Sequence, residues 1–184
     1  MQEPTPAQDG GPLTAQQALV LSHACIAGLI ARLRRLAAEV AVASPPGGLP
    51  DRAQALVTDL DKVLGVHLVD EETDIFPAVL AAKSPGRHAQ AFALVSSLLI
   101  EHRELTEQWH ALRIALLATG GGISVPFSAQ AALDFASRLD HHLECEETEL
   151  LDLLDAMDPD RLRLISAAIT ERHAEALQRA RDGS

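Results

Sequence analysis

The chain has no tyrosine, one tryptophan and four phenylalanines among 184 residues. A tyrosyl radical or a tyrosine-ligated metal is therefore excluded, and aliphatic side chains must build the core. Trp109 falls on an apolar helical stripe and reads as core packing rather than an electron relay. Cysteine is as scarce: Cys25 and Cys145 are too few for a disulfide framework. On antiparallel neighbouring helices the two would separate by about 7 Å along the axis, so no bridge is expected between them, and Cys145 reads as a small buried apolar residue near the histidine before it. Basic charge is in short supply too, with 15 Lys and Arg against 26 Asp and Glu and a net charge of −11. That balance excludes a nucleic-acid surface and a polybasic membrane anchor, leaving small molecules, metals or proteins as partners. The opening Met1-Gln-Glu-Pro-Thr-Pro lacks the basic and apolar regions of a signal peptide. The longest apolar run, around 18–31, is interrupted by Ser22 and His23 and is too short to span a bilayer. A cytoplasmic protein with no membrane segment is expected. Gly120-Gly-Gly lacks the Lys-Ser/Thr that follows a phosphate-binding loop, so nucleotide hydrolysis is unsupported.

What is present is helical periodicity. Residues 1–12 are Pro- and Gly-rich without a pattern and read as a flexible leader, and 13–184 read as one helical domain. Thr14 with Gln17 forms a capping box that opens a first helix, which runs to the loop at Ser44-Pro-Pro-Gly-Gly. Asp51 is the expected cap of a second helix reaching Ala82, with a kink at Pro77. Ser84-Pro85 and Ser128 open the third and fourth helices, with Gly120-Gly-Gly between them. Asp158-Pro159 opens a fifth, over about 159–181. The fold class predicted is all-α: an up-down-up-down four-helix bundle with an additional C-terminal helix that packs outside it or offers a homodimer surface.

Each of the four long helices interrupts its apolar stripe with ligand-type residues. The stripes read Leu19, His23, Ile26, Ile30 and Leu33; Leu60, Val63, His67 and Glu71; Val95, Leu98, His102, Leu105, Trp109, Leu112 and Leu116; and Phe135, Leu139, His142, Glu146, Leu150 and Leu153. The pattern is duplicated. His67-Leu-Val-Asp-Glu71-Glu-Thr returns as His142-Leu-Glu-Cys-Glu146-Glu-Thr, and Leu19-Val-Leu-Ser-His23 returns as Leu98-Leu-Ile-Glu-His102. Four residues along a helix turn a side chain by about 40° and raise it by about 6 Å, so each His-x-x-x-Glu pair shares one face and can grip one metal site. Burying two carboxylates and four imidazoles costs several kcal/mol unless charge is matched, and a pair of divalent cations would match it. The predicted metal ligands are therefore His23, His67, Glu71, His102, His142 and Glu146, a donor set suited to iron, manganese or zinc.

These motifs, together with Phe76-Pro77 after the first copy, make the chain resemble the hemerythrin-like, or HHE cation-binding, family over about 14–155. The resemblance implies a four-helix bundle holding two iron ions, with Glu71 and Glu146 bridging and the four histidines as terminal ligands. It also implies a small ligand such as dioxygen, nitric oxide or peroxide. Oxygen-carrying members have a second histidine one turn after the third-helix ligand, where this chain has Thr106, which speaks against reversible oxygen transport. The extra histidine and cysteine-bearing domain of iron-centre-repair relatives are not evident either. The functional expectation is a small-ligand-binding di-iron protein of sensing or stress response. A di-iron peroxidase or oxidase, and a metal-stapled interaction protein, are the alternatives.

Among the neighbours, Glu72 and Glu147 lie about 140° round the helix from the histidine of each motif, which suits a cap, a salt bridge or support of a ligand better than ligation. His141 competes with His142 but lacks a Glu four residues on. His88, His110 and His173 read as surface or packing residues, with His110 the reserve ligand.

Overall fold

The computed structural model describes residues 13–40, 48–82, 86–118 and 127–182, with side chains to 173. The chain is all-α, and no strand occurs among the described residues. In order, the elements are α1 (Ala15–Val40), α2 (Leu49–Asp70), a first π-turn (Glu71–Ile75), α3 (Phe76–Leu80), α4 (His88–Ala118), α5 (Ala129–Cys145), a second π-turn (Glu146–Leu150), α6 (Leu151–Asp155) and α7 (Pro159–Asp182). Since α2 runs through its π-turn into α3, and α5 through its own into α6, four long antiparallel rods result. Each packs on two neighbours in the ring α1, α2, α4, α5.

Local chemistry explains most of the helix starts. Thr14 Oγ1 accepts from the Gln17 amide at 3.1 Å while Gln17 Oε1 accepts from the Thr14 amide at 2.9 Å, the reciprocal box expected there. Ser128 Oγ accepts from the Ala131 amide, and Asp158 Oδ1 from the amides of Asp160 and Arg161. The second helix starts earlier than predicted. Gly48, at φ 75°, is its cap, Pro50 lies in its first turn, and Asp51 sits inside the helix rather than capping it. A left-handed backbone at that point suits glycine, and an acidic residue in the first turn favours the helix dipole instead. The leader 1–12, the loop at Ser44-Pro-Pro-Gly47, Ser84-Pro85 and Gly120-Gly-Gly lie outside the described residues.

The core is two apolar layers separated by a polar one. One layer joins Ile26, Ile30 and Leu33 of α1 to Leu56 and Leu60 of α2, Leu105, Trp109 and Leu116 of α4, and Phe135 and Leu139 of α5. The other joins Ala15 and Leu19 to Ile75, Phe76, Val95, Leu98, Leu150 and Leu154, closed by Ile165 and Ile169 of α7. Trp109 is core, stacked on Phe135, and its Nε1 donates to Asp61 Oδ1 at 2.7 Å. Val63 falls short of its predicted place, being only partly buried at the margin of its layer. By length and composition α1 could cross a membrane, since the helix extends well past the apolar run. It directs Leu19, His23, Ile26, Ile30 and Leu33 into the bundle. Outside the bundle, α7 lies along α1 and the first π-turn, and Ser166 Oγ accepts the Ala15 amide at 2.8 Å. That satisfies one of the amides a helix start otherwise leaves unpaired.

Candidate metal centre

The helix turns widen by one residue at the two motif glutamates. Phe76 N–H donates to the Glu71 carbonyl and Leu151 N–H to the Glu146 carbonyl, five residues apart in each case. The kink expected at Pro77 is thus a π-turn just ahead of the proline. Its twin in α5–α6 contains no proline, so Pro77 is not the cause. Each π-turn re-registers the rod, so that Glu71 and Ile75 face inward, as do Glu146 and Leu150, all four fully buried. Single π-turns inside α-helices recur at functional sites because they re-aim side chains at the cost of one regular bond.

All six predicted residues meet in the layer between the two apolar halves, each at most 2% exposed. The donor atoms fall into two groups of four, His23, His67, Glu71 and Glu146, and His102, His142, Glu71 and Glu146, with every atom of a group within 4.8 Å of the others. Both glutamates belong to both groups. The rings pair accordingly: His23 and His67 lie 5.1 Å apart, edge to face, and His102 and His142 lie 4.8 Å apart in the same manner. Glu146 divides its oxygens between the pairs. Its Oε2 lies 3.2 Å from His23 Nε2 and 3.6 Å from His67 Nε2, while its Oε1 lies 2.9 Å from His142 Nε2 and 3.7 Å from His102 Nε2. Glu71 Oε2 reaches one ring of each pair, His102 at 3.3 Å and His67 at 3.5 Å. Two donors each about 2.1 Å from a cation and roughly at right angles lie about 3 Å apart, so these separations suit shared coordination.

The outer nitrogens show which atoms face inward. His23 Nδ1 lies 3.0 Å from Glu147, His102 Nδ1 2.8 Å from Glu72, His142 Nδ1 2.9 Å from Glu101, and His67 Nδ1 3.2 Å from Ser22 Oγ. An ionised carboxylate only accepts, so its imidazole must carry hydrogen on Nδ1. Ser22 leads to the same result, because its hydroxyl hydrogen is already given to the Leu19 carbonyl at 2.9 Å. Four Nε2 lone pairs and four carboxylate oxygens therefore face one another. Despite the short separations none makes a hydrogen bond of acceptable geometry, and all eight atoms are buried without a partner among the described residues. A buried cluster that presents only electron pairs fits a cation, and the donor set is that of a bundle metal site.

Without a cation, protons must do that work. Burial, followed by the charge on Glu146, holds the Glu71 carboxyl well above the usual carboxylate range. Burial also opposes ionisation of Glu146, but the four surrounding imidazoles outweigh it and hold that group well below the range. One carboxylate ionised and one protonated is what two neighbouring acids in a dry site are expected to do. His67 is lowered by burial, whereas His142, resisted by burial, is raised by Glu146 and Glu101.

The remaining candidates lie elsewhere. His88, His110 and His141 are exposed, and so is Thr106. His110 is thus no reserve ligand, and His142 rather than His141 enters the cluster. His173 Nε2 binds Asp70 Oδ2 at 2.6 Å. Cys145 is half-buried rather than packed as an apolar core residue. Its Sγ is 3.8 Å from His141 Nε2 on the outer side of α5, burial and nearby acids raise its pKa, and both cysteines are free. Glu72 and Glu147 each steady a ligand-type histidine on another helix, one of the roles foreseen for them. Ser22 and Glu101 were missed, although their signal is in the repeat, since each immediately precedes the lone histidine of its copy.

Fold and site together define a helical-bundle protein with a buried histidine and carboxylate centre able to hold metal cations. The chain belongs to the hemerythrin family, whose HHE cation-binding domain matches residues 14–154. Comparison with curated proteins yields no match.

Proposed function

We propose that the chain is a non-haem di-iron protein that binds or reacts with a small ligand such as dioxygen, nitric oxide or peroxide in sensing or stress response, acting in the cytoplasm. Manganese and zinc suit the same donors. The observation that carries this reading is the division of Glu146, one oxygen per imidazole pair, while Oε2 of Glu71 reaches one ring of each pair. Glu146 and Glu71 so placed would hold two cations between them, whose positive charge would offset that of the two buried carboxylates. When bound, a redox-active pair supplies Lewis acidity and electrons to such a ligand.

The chain's own residues hold and shield. His23, His67, His102 and His142 present Nε2, while Ser22, Glu101, Glu72 and Glu147 fix the rings by Nδ1. The two apolar layers exclude water from above and below. Anaerobic iron loading followed by stopped-flow mixing with dioxygen, nitric oxide and peroxide tests the proposal. Two irons per chain and a ligand-dependent spectral change are expected. A stoichiometry of one, or optical inertness towards all three ligands, overturns it. Sustained peroxide consumption with an added electron donor would assign a peroxidase instead.

A further inference from the structure

The two cation positions share Glu71 and Glu146, so they do not differ in which carboxylates they include. Each position also has one histidine whose Nδ1 binds a half-exposed glutamate, Glu147 behind His23 and Glu72 behind His102, at 3.0 and 2.8 Å. These two contacts nearly cancel. Among the Nδ1 partners, what remains is that of the second histidine in each pair. His142 donates to the carboxylate of Glu101, which is 32% exposed, and His67 donates to the hydroxyl of Ser22. The two partners hold equivalent places, each one residue before a ligand-type histidine on the neighbouring helix.

We infer that Ser22 and Glu101 are positioning residues that make the two cation positions unequal, so that the His102 and His142 position fills first and the His23 and His67 position second. The proposal rests on the dinuclear reading above. A hydrogen bond to an ionised acceptor is roughly twice as strong as one to a neutral acceptor. It shifts electron density through the ring and makes Nε2 the better donor, and loss of such a partner typically lowers metal affinity about 10–100-fold. The Ser22 hydroxyl cannot supply the same push, because it is neutral and its own hydrogen is turned to the Leu19 carbonyl. Room exists for a larger group, since Ser22 borders a groove of about 330 Å³ formed with Leu21, Cys25, Val63 and Val66.

The test is a zinc titration of the full chain, followed by calorimetry and by the imidazole resonances of protein labelled with ¹⁵N-histidine. Two steps differing by at least about tenfold are expected, and the first equivalent should move His102 and His142. Glu101→Ser should bring the steps together, Ser22→Ala should leave the order intact, and the exchange Ser22→Glu with Glu101→Ser should reverse it. Helicity checked by circular dichroism separates a misfolded variant from an informative one, and if the exchange fails to fold, the Glu101→Ser and Ser22→Ala arms decide. Indistinguishable steps in the unaltered chain, first movement of His23 and His67, or an order that survives in Glu101→Ser would overturn the inference while leaving two metals per chain. A total of one zinc per chain removes the dinuclear reading, and the inference with it.

Discussion

The hairpin of α1 with α2–α3 and the hairpin of α4 with α5–α6 present matching groups to the centre but are backed differently outside it. Inside, His67 and Glu71 match His142 and Glu146, and each glutamate opens a π-turn. Outside, the first hairpin is gripped by α7. Arg172 bridges Asp70 and Asp74 across the first π-turn, and His173 joins it on Asp70. At the corresponding places the second hairpin has Cys145 and Glu149, and among the described residues no ion pair joins α7 to them. The comparison shows that the duplicated chemistry is confined to the inner face. There each of the six residues is bound to the five others by the need to match charge in a dry site, while the outer faces answer only to local neighbours.

The hardest way to break the likeness is to remove a shared carboxylate. Glu146→Ala and Glu71→Ala should both lower metal stoichiometry after iron loading from two to one or fewer. Glu146→Ala is expected to be the worse, because Glu146 contacts all four imidazoles and Glu71 two. Equal metal content in the two variants would show that the contacts do not rank the bridges.

Removing the metal should loosen both halves together. Because the cation binds the folded chain preferentially, free metal at 100 times the dissociation constant adds about 2.7 kcal/mol of stability. Thermal melts of metal-free and loaded protein should therefore differ, with helicity retained in both since two apolar layers remain. Identical melts at confirmed occupancy would mean the site is held in shape by other contacts.

Arg172→Met sharpens the contrast by acting on one half alone. It leaves the buried Asp70 with His173 as its remaining partner, and a loss of about 1–3 kcal/mol is expected for removal of a hydrogen bond between charged groups. Amide exchange should quicken in Glu71–Ile75 and stay unchanged in Glu146–Leu150. Quickening in both would show that the halves open as one unit.

The smallest effect should come from Glu72→Gln and Glu147→Gln. Each keeps a side chain that can accept from Nδ1 but removes the charge, and both glutamates are about half exposed. A drop in metal affinity near the low end of the 10–100-fold range, equal in the two variants, is expected by competition with a chelator. Unequal losses would extend the difference between the halves to this pair.

The duplicated His-x-x-x-Glu, the two lone histidines, the caps at Thr14, Ser128 and Asp158 and most of the apolar stripes were legible in the amino-acid order. They depend on helical periodicity and on hydrogen bonds between near neighbours in the chain, and six residues were thereby assigned to one layer. Tertiary structure alone decided the rest. The π-turns pack two re-aimed glutamates between apolar layers, and proline does not mark them, as the proline-free second copy shows. Which of Glu72, Glu147, Glu101 and Ser22 steadies which histidine depends on contacts between residues 30 to 124 positions apart. The ion-paired grip of α7 on one hairpin is likewise set by where a fifth helix lands on a four-helix ring.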